Sequence, residues 1–568
     1  MGRKKKRYKT GRLAPARGKP GAGLPSGRIP AWRAGLPWIC LGLILLFVVS
    51  VRIRLLPVPL ERDEGEYAYA GQLILEGIPP YQLAYNVKFP GIYAAYALVM
   101  AIFGQTPSGI HLGLLFVNLG AIVLLFFLAR RLFDSYAAVI ASATYALMST
   151  STAVMGLRAH ATHFVIVAAL GGFVLLLRGL KSRRALTLFW SGLLFGVAVL
   201  MKQHGVFLGV FAFGVLVYND WLSKIAANSA GSSAGSVQDP GTDAKKSLLP
   251  GLRRVAAFSF GTVVPYALAC LVLWRTGVFK NFWRWTVLYA SGHSLPYTFQ
   301  GLARNFQDNG PDNFFWGLGV AGFFLLFADR SVPSWTKGFV GGLLASSFVA
   351  VSLGFYFFPH YFVLMLPALA LLVGAGCTLA GQKLGQSGLG TLGVFLPAAV
   401  FLVGSGWVLK SPRTDWTESS VSFDAAPALA SYISNHSTPA SRIAVFGSEP
   451  EIYFYAHRHA ASGYIYMYDI TSAAAHADEM KREMLSEVEA ARPEFVLDVH
   501  DRFSWSLGFS PETQRIHDWL EQYLKSGNYR RVAVAENING KIVYRWDSDA
   551  ADYSPASESY ICVYQRKL

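Results

Sequence analysis

The chain has 568 residues, 53% of them hydrophobic and only 15% charged, with a net charge of +17. A soluble protein of this length carries about a quarter charged residues, so an ordinary soluble domain is excluded. The charge is also divided: residues 1–35 hold 11 Lys/Arg and no acid, whereas residues 411–568 hold 15 Lys/Arg against 22 Asp/Glu.

Residues 1–35, rich in Gly and Pro, read as a disordered basic cytoplasmic tail. Basic residues beside membrane segments set topology and meet anionic head groups. No stacking or groove-reading module accompanies the tail, so membrane lipids are expected as partners and nucleic acid is not. The first apolar stretch begins near Leu36, far from the start, and no small-residue cleavage site follows, which argues against a cleavable signal peptide. Windows of apolar residues long enough to cross a bilayer then fall at 37–53, 110–129, 136–154, 164–178, 185–201, 205–219, 255–275, 313–328, 338–357, 361–381 and 388–408. Residues 91–103 are apolar but short after Pro90; the expectation is a helix along the outer surface, with a true span as the competing reading.

About eleven spans starting inside place the C-terminus outside. The basic clusters Arg130–Arg131 and Lys181–Arg184 then fall on the inner side, as does the flexible loop 223–252 around SAGSSAGS. Residues 277–312 form a longer outer loop. The expected architecture is a polytopic α-helical membrane domain over 36–409, with a first outer loop at 54–109, followed by a small α/β domain over 410–568 on the outer face. In that domain helical stretches (425–436, 476–491, 513–527) alternate with strand-like RIAVF, EFVLDV, YRRVAVAE and KIVYRW. The four scattered cysteines (Cys40, Cys270, Cys377, Cys562) form neither a disulfide framework nor a cysteine-based zinc motif.

The chemistry concentrates on one side. Only 12 Asp/Glu occur before residue 410, and Glu61, Asp63, Glu64, Glu66 and Glu76 lie in the first outer loop. His111, His160, His163, His204, His293 and His360 fall on the same expected side, as do Lys88, Arg158 and Lys202. Ionisable groups gathered at the ends of apolar segments mark functional sites. The adjacent carboxylates Asp63 and Glu64 suit a general base and a metal ligand or orienting partner, with pKa values pushed apart by their neighbours. A cation at Lys88 suits a phosphate-bearing substrate. The competing reading is a solvated acidic loop, with Glu66 and Glu76 solvated or capping, Lys202 snorkelling at a helix end, His360 a satisfied interfacial histidine, and Tyr67 and Tyr69 either shaping the site or simply packing.

The stretch ERDEGEYAYAGQLILEGIPPYQLAYNVKFPGIYAAY (61–96) resembles the opening pattern of integral-membrane glycosyltransferases of the C-type (GT-C) fold: a DE pair after the first span, an L-x-G-I-P-P-Y-like run and K-x-P. It is similar to family 39, the protein O-mannosyltransferases and their bacterial relatives, including the aminoarabinose transferases of lipid A. Further matches follow in order: FG at 103–104 before a span ending in ARRLFD, GLLFGVAVLMKQHG (192–205), FPHYFVLMLPALALL (358–372) and FGSEPEIYFYAHRHAASGY (446–464), over most of residues 37–545.

The resemblance implies transfer of a sugar from a polyprenyl-phosphate donor to an acceptor hydroxyl of a lipid, glycan or protein, with inversion, at the outer face of a bacterial cytoplasmic membrane. Asp63 would be the base with Glu64 beside it, and Lys88, Arg158 and Lys202 would hold the donor phosphate. Many members carry an acid in the second outer loop, where this chain has GLRAHATHF. His160 and His163, with His360, become candidates for substrate or metal contacts there, and a divalent ion such as magnesium or manganese is a candidate cofactor. The physics agrees with a lipid-linked donor, because nucleotide sugars stay in the cytoplasm and no P-loop or dinucleotide fingerprint is present. The alternative function is a transporter or flippase for lipid-linked saccharides, which would place ionisable or broken-helix sites near the bilayer midplane.

Overall fold

The computed structural model describes residues 31–232, 240–289, 299–309, 314–386, 402–406, 421–468, 470–471, 476–505 and 510–567. The basic tail before residue 31, most of the expected span 388–408, the boundary at 410, and parts of the 223–252 and 277–312 loops lie outside these residues.

The first part of the chain is helical: α1 (Ala31–Ile53), α2 (Arg62–Leu75), α3 (Pro90–Phe103), α4 (Pro107–Leu132), α5 (Ser135–Met148), α6 (Ala161–Ser182), α7 (Ala185–Met201), α8 (Gly205–Ser232) and α9 (Pro240–Arg275). After α10 (Phe279–Trp283) come α11 (Phe299–Asn309), α12 (Phe314–Ala328), α13 (Ser334–Val351) and α14 (Leu366–Gln386). By length and apolarity, five described helical segments are able to cross a membrane, at Gly35–Ile53, Pro107–Leu132, Ala161–Ser182, Pro250–Arg275 and Pro359–Gly385. Shorter apolar helices, α3, α5 and α7 among them, accompany these, and the chain is a multi-pass helical membrane protein.

Helices coincide with every expected span up to residue 381; of the last, only residues 402–406 are described, and they are helical. Two end early for local reasons. α5 stops at Met148, where Ser149 and Thr150 turn their hydroxyls back onto the Ala146 carbonyl, so the span expected to reach 154 closes in a 3₁₀ turn at Thr152–Val154. α13 stops at Val351, and Gly354, at φ +75°, lets the chain reverse before a 3₁₀ segment, Pro359–Met365, leads into α14. Neither span is a continuous helix to its expected end.

The segment expected as the first outer loop, 54–109, is largely helical. α2 opens with a capping box, in which the Glu61 carboxylate accepts from Glu64 N and the Glu64 carboxylate accepts from Glu61 N, both at 3.1 Å. α3 starts at Pro90, suited to a first helical turn. Its Gly91 leaves no room for a side chain, since a Cβ there would stand 2.5 Å from the Leu200 carbonyl. That close approach brings the chain before Pro90 against the C-terminal end of α7.

The C-terminal domain is a six-stranded mixed sheet in the order β2-β1-β3-β6-β4-β5. β1 (Arg442–Phe446), β2 (His459–Ala460) and β3 (Phe495–His500) are parallel; β4 (Tyr529–Ile538), β5 (Lys541–Trp546) and β6 (Tyr560–Arg566) pair antiparallel. The helices α15 (Val421–Asn435), α16 (Glu451–Ala456), α17 (Ala477–Ala491) and α18 (Pro511–Ser526) complete it. The expected α/β alternation is present, and β6, whose YICVYQR was not singled out, lies between β3 and β4. Leu497 and Val499 face one core with α15 and α2, while Val496 faces another with Met480 and Met484 of α17 and Ile516 of α18.

Candidate active site

Neighbouring residues on a helix project about 100° apart, whereas positions i, i+3 and i+4 share a face. Asp63 and Glu64 therefore look in different directions from α2, and Asp63 shares its face with Glu66 and Tyr67. Lys88 closes that face, its Nζ standing 2.8 Å from Asp63 Oδ1 and 2.5 Å from Glu66 Oε2, over the Tyr67 ring at 4.7 Å. The loop that delivers Lys88 is pinned from two sides: Tyr81 donates to the Lys88 carbonyl and Gln203 Nε2 to the Val87 carbonyl, each at 2.7 Å.

Glu66, expected to be solvated or capping, is fully buried, because it accepts both Lys88 and the Tyr93 hydroxyl (2.6 Å) on the inner side of that face. Glu76 is the C-cap of α2 and meets His459 at 2.7 Å. Tyr67 carries Lys88, and the Tyr69 hydroxyl accepts from Ala460 N.

Two histidines face Asp63 from other helices. His160, the N-cap of α6, has Nδ1 3.6 Å from both Asp63 Oδ2 and Glu61 Oε1. His360 stacks on His160 at 4.1 Å between centroids and lies 4.0 Å from Asp63 Oδ2. Behind them, Lys202, the C-cap of α7, is 3.5 Å from His360 Nε2 and 4.0 Å above the Tyr361 ring. His163, one turn further along α6, is buried and is not among the groups that converge on Asp63.

The Glu64 side is closed. Its carboxylate accepts from Ala159 N at 2.5 Å and meets His111 Nε2 at 3.1 Å and Arg158 Nη1 at 3.5 Å. Arg158 also donates to the Pro59 carbonyl at 2.6 Å. Arg158, expected to hold donor phosphate, faces Glu64 and the backbone before α2, where its guanidinium also orders the site. Glu64 likewise locks the segment carrying His160 onto α2.

Electrostatics follow this division. Burial pushes the Asp63 carboxyl up, but the Lys88 cation, together with His160 and His360, outweighs it and holds the group well below the usual carboxylate range. For Glu64, burial is again overcome, here by His111, Arg158 and the Ala159 N–H, and the pKa falls to about 2. The two values are lowered together instead of being pushed apart, since each carboxylate has its own cationic partners. Glu61 and Glu66 go the other way, raised chiefly by burial.

Sequence reading also missed the C-terminal domain's share of the site. Arg62 turns away from Asp63 and donates to the Ser448 and Phe503 carbonyls and to Glu449 Oε1 at 3.2 Å. The Tyr466 hydroxyl donates to the Arg62 carbonyl at 3.1 Å, and its ring lies 5.7 Å from Lys88 Nζ. Gly65 meets α16 so closely that a Cβ would stand 2.5 Å from Glu451 Cβ and 2.6 Å from its backbone nitrogen. The E-x-x-E spacing of Glu61 and Glu64 was the available signal for a helix here; the contacts to residues 446–468 had none.

Comparison with known proteins adds three findings. Residues 88–234 match the family model described as dolichyl-phosphate-mannose-protein mannosyltransferase. No curated protein matches the chain by sequence. Among solved structures, ArnT from Cupriavidus metallidurans bound to undecaprenyl phosphate superimposes with a TM-score of 0.55 at 15% identity, over 93% of this chain and 98% of that one. The Archaeoglobus fulgidus oligosaccharyltransferase tethered with an acceptor peptide gives 0.51 at 13% identity, over 91% of this chain and 74% of that one. The chain has the GT-C fold that its 61–96 stretch implied.

Proposed function

We propose that the chain is a membrane glycosyltransferase that moves a sugar from a polyprenyl-phosphate carrier to an acceptor hydroxyl at the outer face of the membrane, with Asp63 as the base. The observation that carries this reading is one carboxylate set among two lysines and two histidines, at the ends of apolar helices and beneath a soluble domain. The undecaprenyl phosphate of the ArnT structure supports the lipid carrier.

Asp63 is the base of choice among the four acids because its side chain is 25% exposed, while those of Glu64 and Glu66 are fully buried and already paired. The acceptor O–H proton passes to an Asp63 oxygen as the acceptor oxygen bonds to the anomeric carbon. The bond from that carbon to the phosphate oxygen breaks, and the electron pair leaves with the phosphate. A single displacement of this kind inverts the anomeric centre. Lys88 and Lys202 face the charge that develops on the leaving phosphate. Lys88 also links the two ends of the reaction: a phosphate that draws Lys88 away releases Asp63 from the cation that holds its pKa down, so the base strengthens once donor is bound.

Asp63, His160 and His360 fit a divalent cation. Their ligand atoms lie within 4.8 Å of one another, and both ring nitrogens of His160 are buried without a hydrogen-bond partner. Two imidazoles and a carboxylate favour a zinc-like ion over magnesium. Such an ion would supply positive charge to phosphate oxygens.

The test uses protein in nanodiscs with a panel of polyprenyl-phosphate sugars and candidate acceptors, following release of free polyprenyl phosphate. Asp63→Asn keeps the shape and removes the base, so release is expected to fall by about a hundredfold or more. An Asp63→Asn variant as active as wild type would remove Asp63 from the mechanism. Failure of every donor would favour a flippase instead.

A further inference from the structure

The outer domain carries a second cluster of the same ingredients. Asp498 and His500 are two apart on β3 and so share a face of the sheet. His517, on α18, comes down on them from the helix layer. His500 Nε2 is 3.0 Å from Asp498 Oδ2, and His517 Nδ1 is 3.1 Å from Asp498 Oδ1. The two imidazoles stack at 4.5 Å between centroids, with Tyr560 4.4 Å from His500 and Trp505 4.9 Å from His517.

We propose that Asp498, His500 and His517 form a divalent transition-metal site, of the zinc class, that fastens α18 to the sheet of the outer domain. Zinc ligands at about 2.0–2.2 Å in a tetrahedron stand about 3.3 Å from one another; His500 and His517 approach different oxygens of Asp498, at 3.0 and 3.1 Å, so one of those oxygens with the two ring nitrogens makes the ligand set. All three ligand atoms lie within 4.8 Å of one another. Two imidazole nitrogens and a carboxylate oxygen are borderline donors suited to zinc and its neighbours, not to calcium or magnesium.

The setting differs from that of Asp63 in a way that sharpens the assignment. Beside Asp63, Lys88 supplies a fixed positive charge. Beside Asp498, the ion-pair partners among the described residues are the two imidazoles, and a divalent cation held by all three would set its charge against that mostly buried carboxylate. Side-chain exposures of 14% for Asp498, 24% for His500 and 10% for His517 keep the cluster mostly covered while leaving each residue some contact with solvent. The cluster lies on the sheet face of Val496 and Ile516, opposite the face that packs on α2, so it is separate from the proposed active site.

The experiment loads full-length protein in nanodiscs, stripped with chelator, with zinc sulfate. Bound zinc is then measured by mass spectrometry after removal of the excess. His517→Ala and His500→Ala are each expected to lose about one equivalent or bind it at least tenfold more weakly, while His160→Ala retains that equivalent. Zinc is also expected to raise the apparent Tm of wild type and not that of His517→Ala. Should the alanine variants fail to fold, Asp498→Asn, of the same shape, takes their place. Zinc content and affinity unchanged from wild type in a folded His517→Ala or Asp498→Asn protein would overturn the site.

Discussion

Asp63 and Glu64 are adjacent in the chain, both set against cations, and the structure gives them opposite settings. The Asp63 face opens towards Lys88, His160 and His360, groups that arrive from a loop and two other helices and leave the carboxylate partly exposed. The Glu64 face is filled by His111, Arg158, Ala159 N and Glu61 N, with nothing left over. The difference shows that a pair of acids in sequence is not a pair in space once it lies on a helix: α2 turns the carboxylate proposed as the base to one face and gives the other the walls of the site to hold together.

The largest expected effect comes from removing the cation of the open face. In Lys88→Met, Asp63 and Glu66 lose their shared partner, and the proposed donor phosphate loses a contact. kcat/KM should fall by about a hundredfold or more. The residual activity should carry a distinctive pH profile. Lys88 holds the Asp63 pKa down, so without it the carboxylate forms only at higher pH and the acid limb of the profile moves upward. A variant with lowered activity and an unmoved acid limb would break the link between Lys88 and the base.

How much of this could be read from the sequence follows the range of the contacts. The apolar spans and the outer domain's strands were legible because periodicity is local. Lys88 and Lys202 stood out as cations at the ends of apolar segments. Glu66 was misjudged because residues 61–75 were read as a loop; with the Glu61–Glu64 capping box read as a helix start, Asp63, Glu66 and Tyr67 fall on one face at once. The link between Arg158 and Glu64 was illegible for a different reason. Glu64 is 94 positions earlier, and spacing carries no information about such a pair. The anchoring of Arg62 by Ser448, Glu449 and Phe503 spans still greater separations.

A second break acts on the closed face. Glu64→Gln keeps the shape but leaves Arg158 and His111 without their anion, so it should cost about 2 kcal/mol or more in stability, seen as a lower apparent Tm. Asp63→Asn, on the open face, should cost less. The pH dependence has a definite sign. The Glu64 pKa falls from 4.5 unfolded to about 2 folded, so its contribution is fully present above pH 4.5 and is lost as pH falls towards 2. Wild type and Glu64→Gln should therefore converge in apparent Tm as the buffer is made acid over that window. Parallel curves would mean that Glu64 does not carry the difference.

The smallest effect sharpens the comparison by adding a third side of α2, the one at Gly65 that meets Glu451. Both carboxyl oxygens of Glu451 are buried without a hydrogen-bond partner, and burial, reinforced by Glu449, raises its pKa well above 4.5. A carboxyl raised in the fold favours the folded state below its unfolded pKa and loses that advantage as pH rises through the folded value. Glu451→Gln should therefore leave apparent Tm unchanged or raise it, by about 1 kcal/mol of stability at neutral pH, with the gain disappearing below about pH 4.5. Glu64→Gln and Glu451→Gln are the same chemical change on opposite sides of one helix, yet they are expected to move stability in opposite directions. A loss in both would mean that Glu451 is held as an anion by Arg62, and that the outer domain grips α2 by charge as firmly as the closed face does.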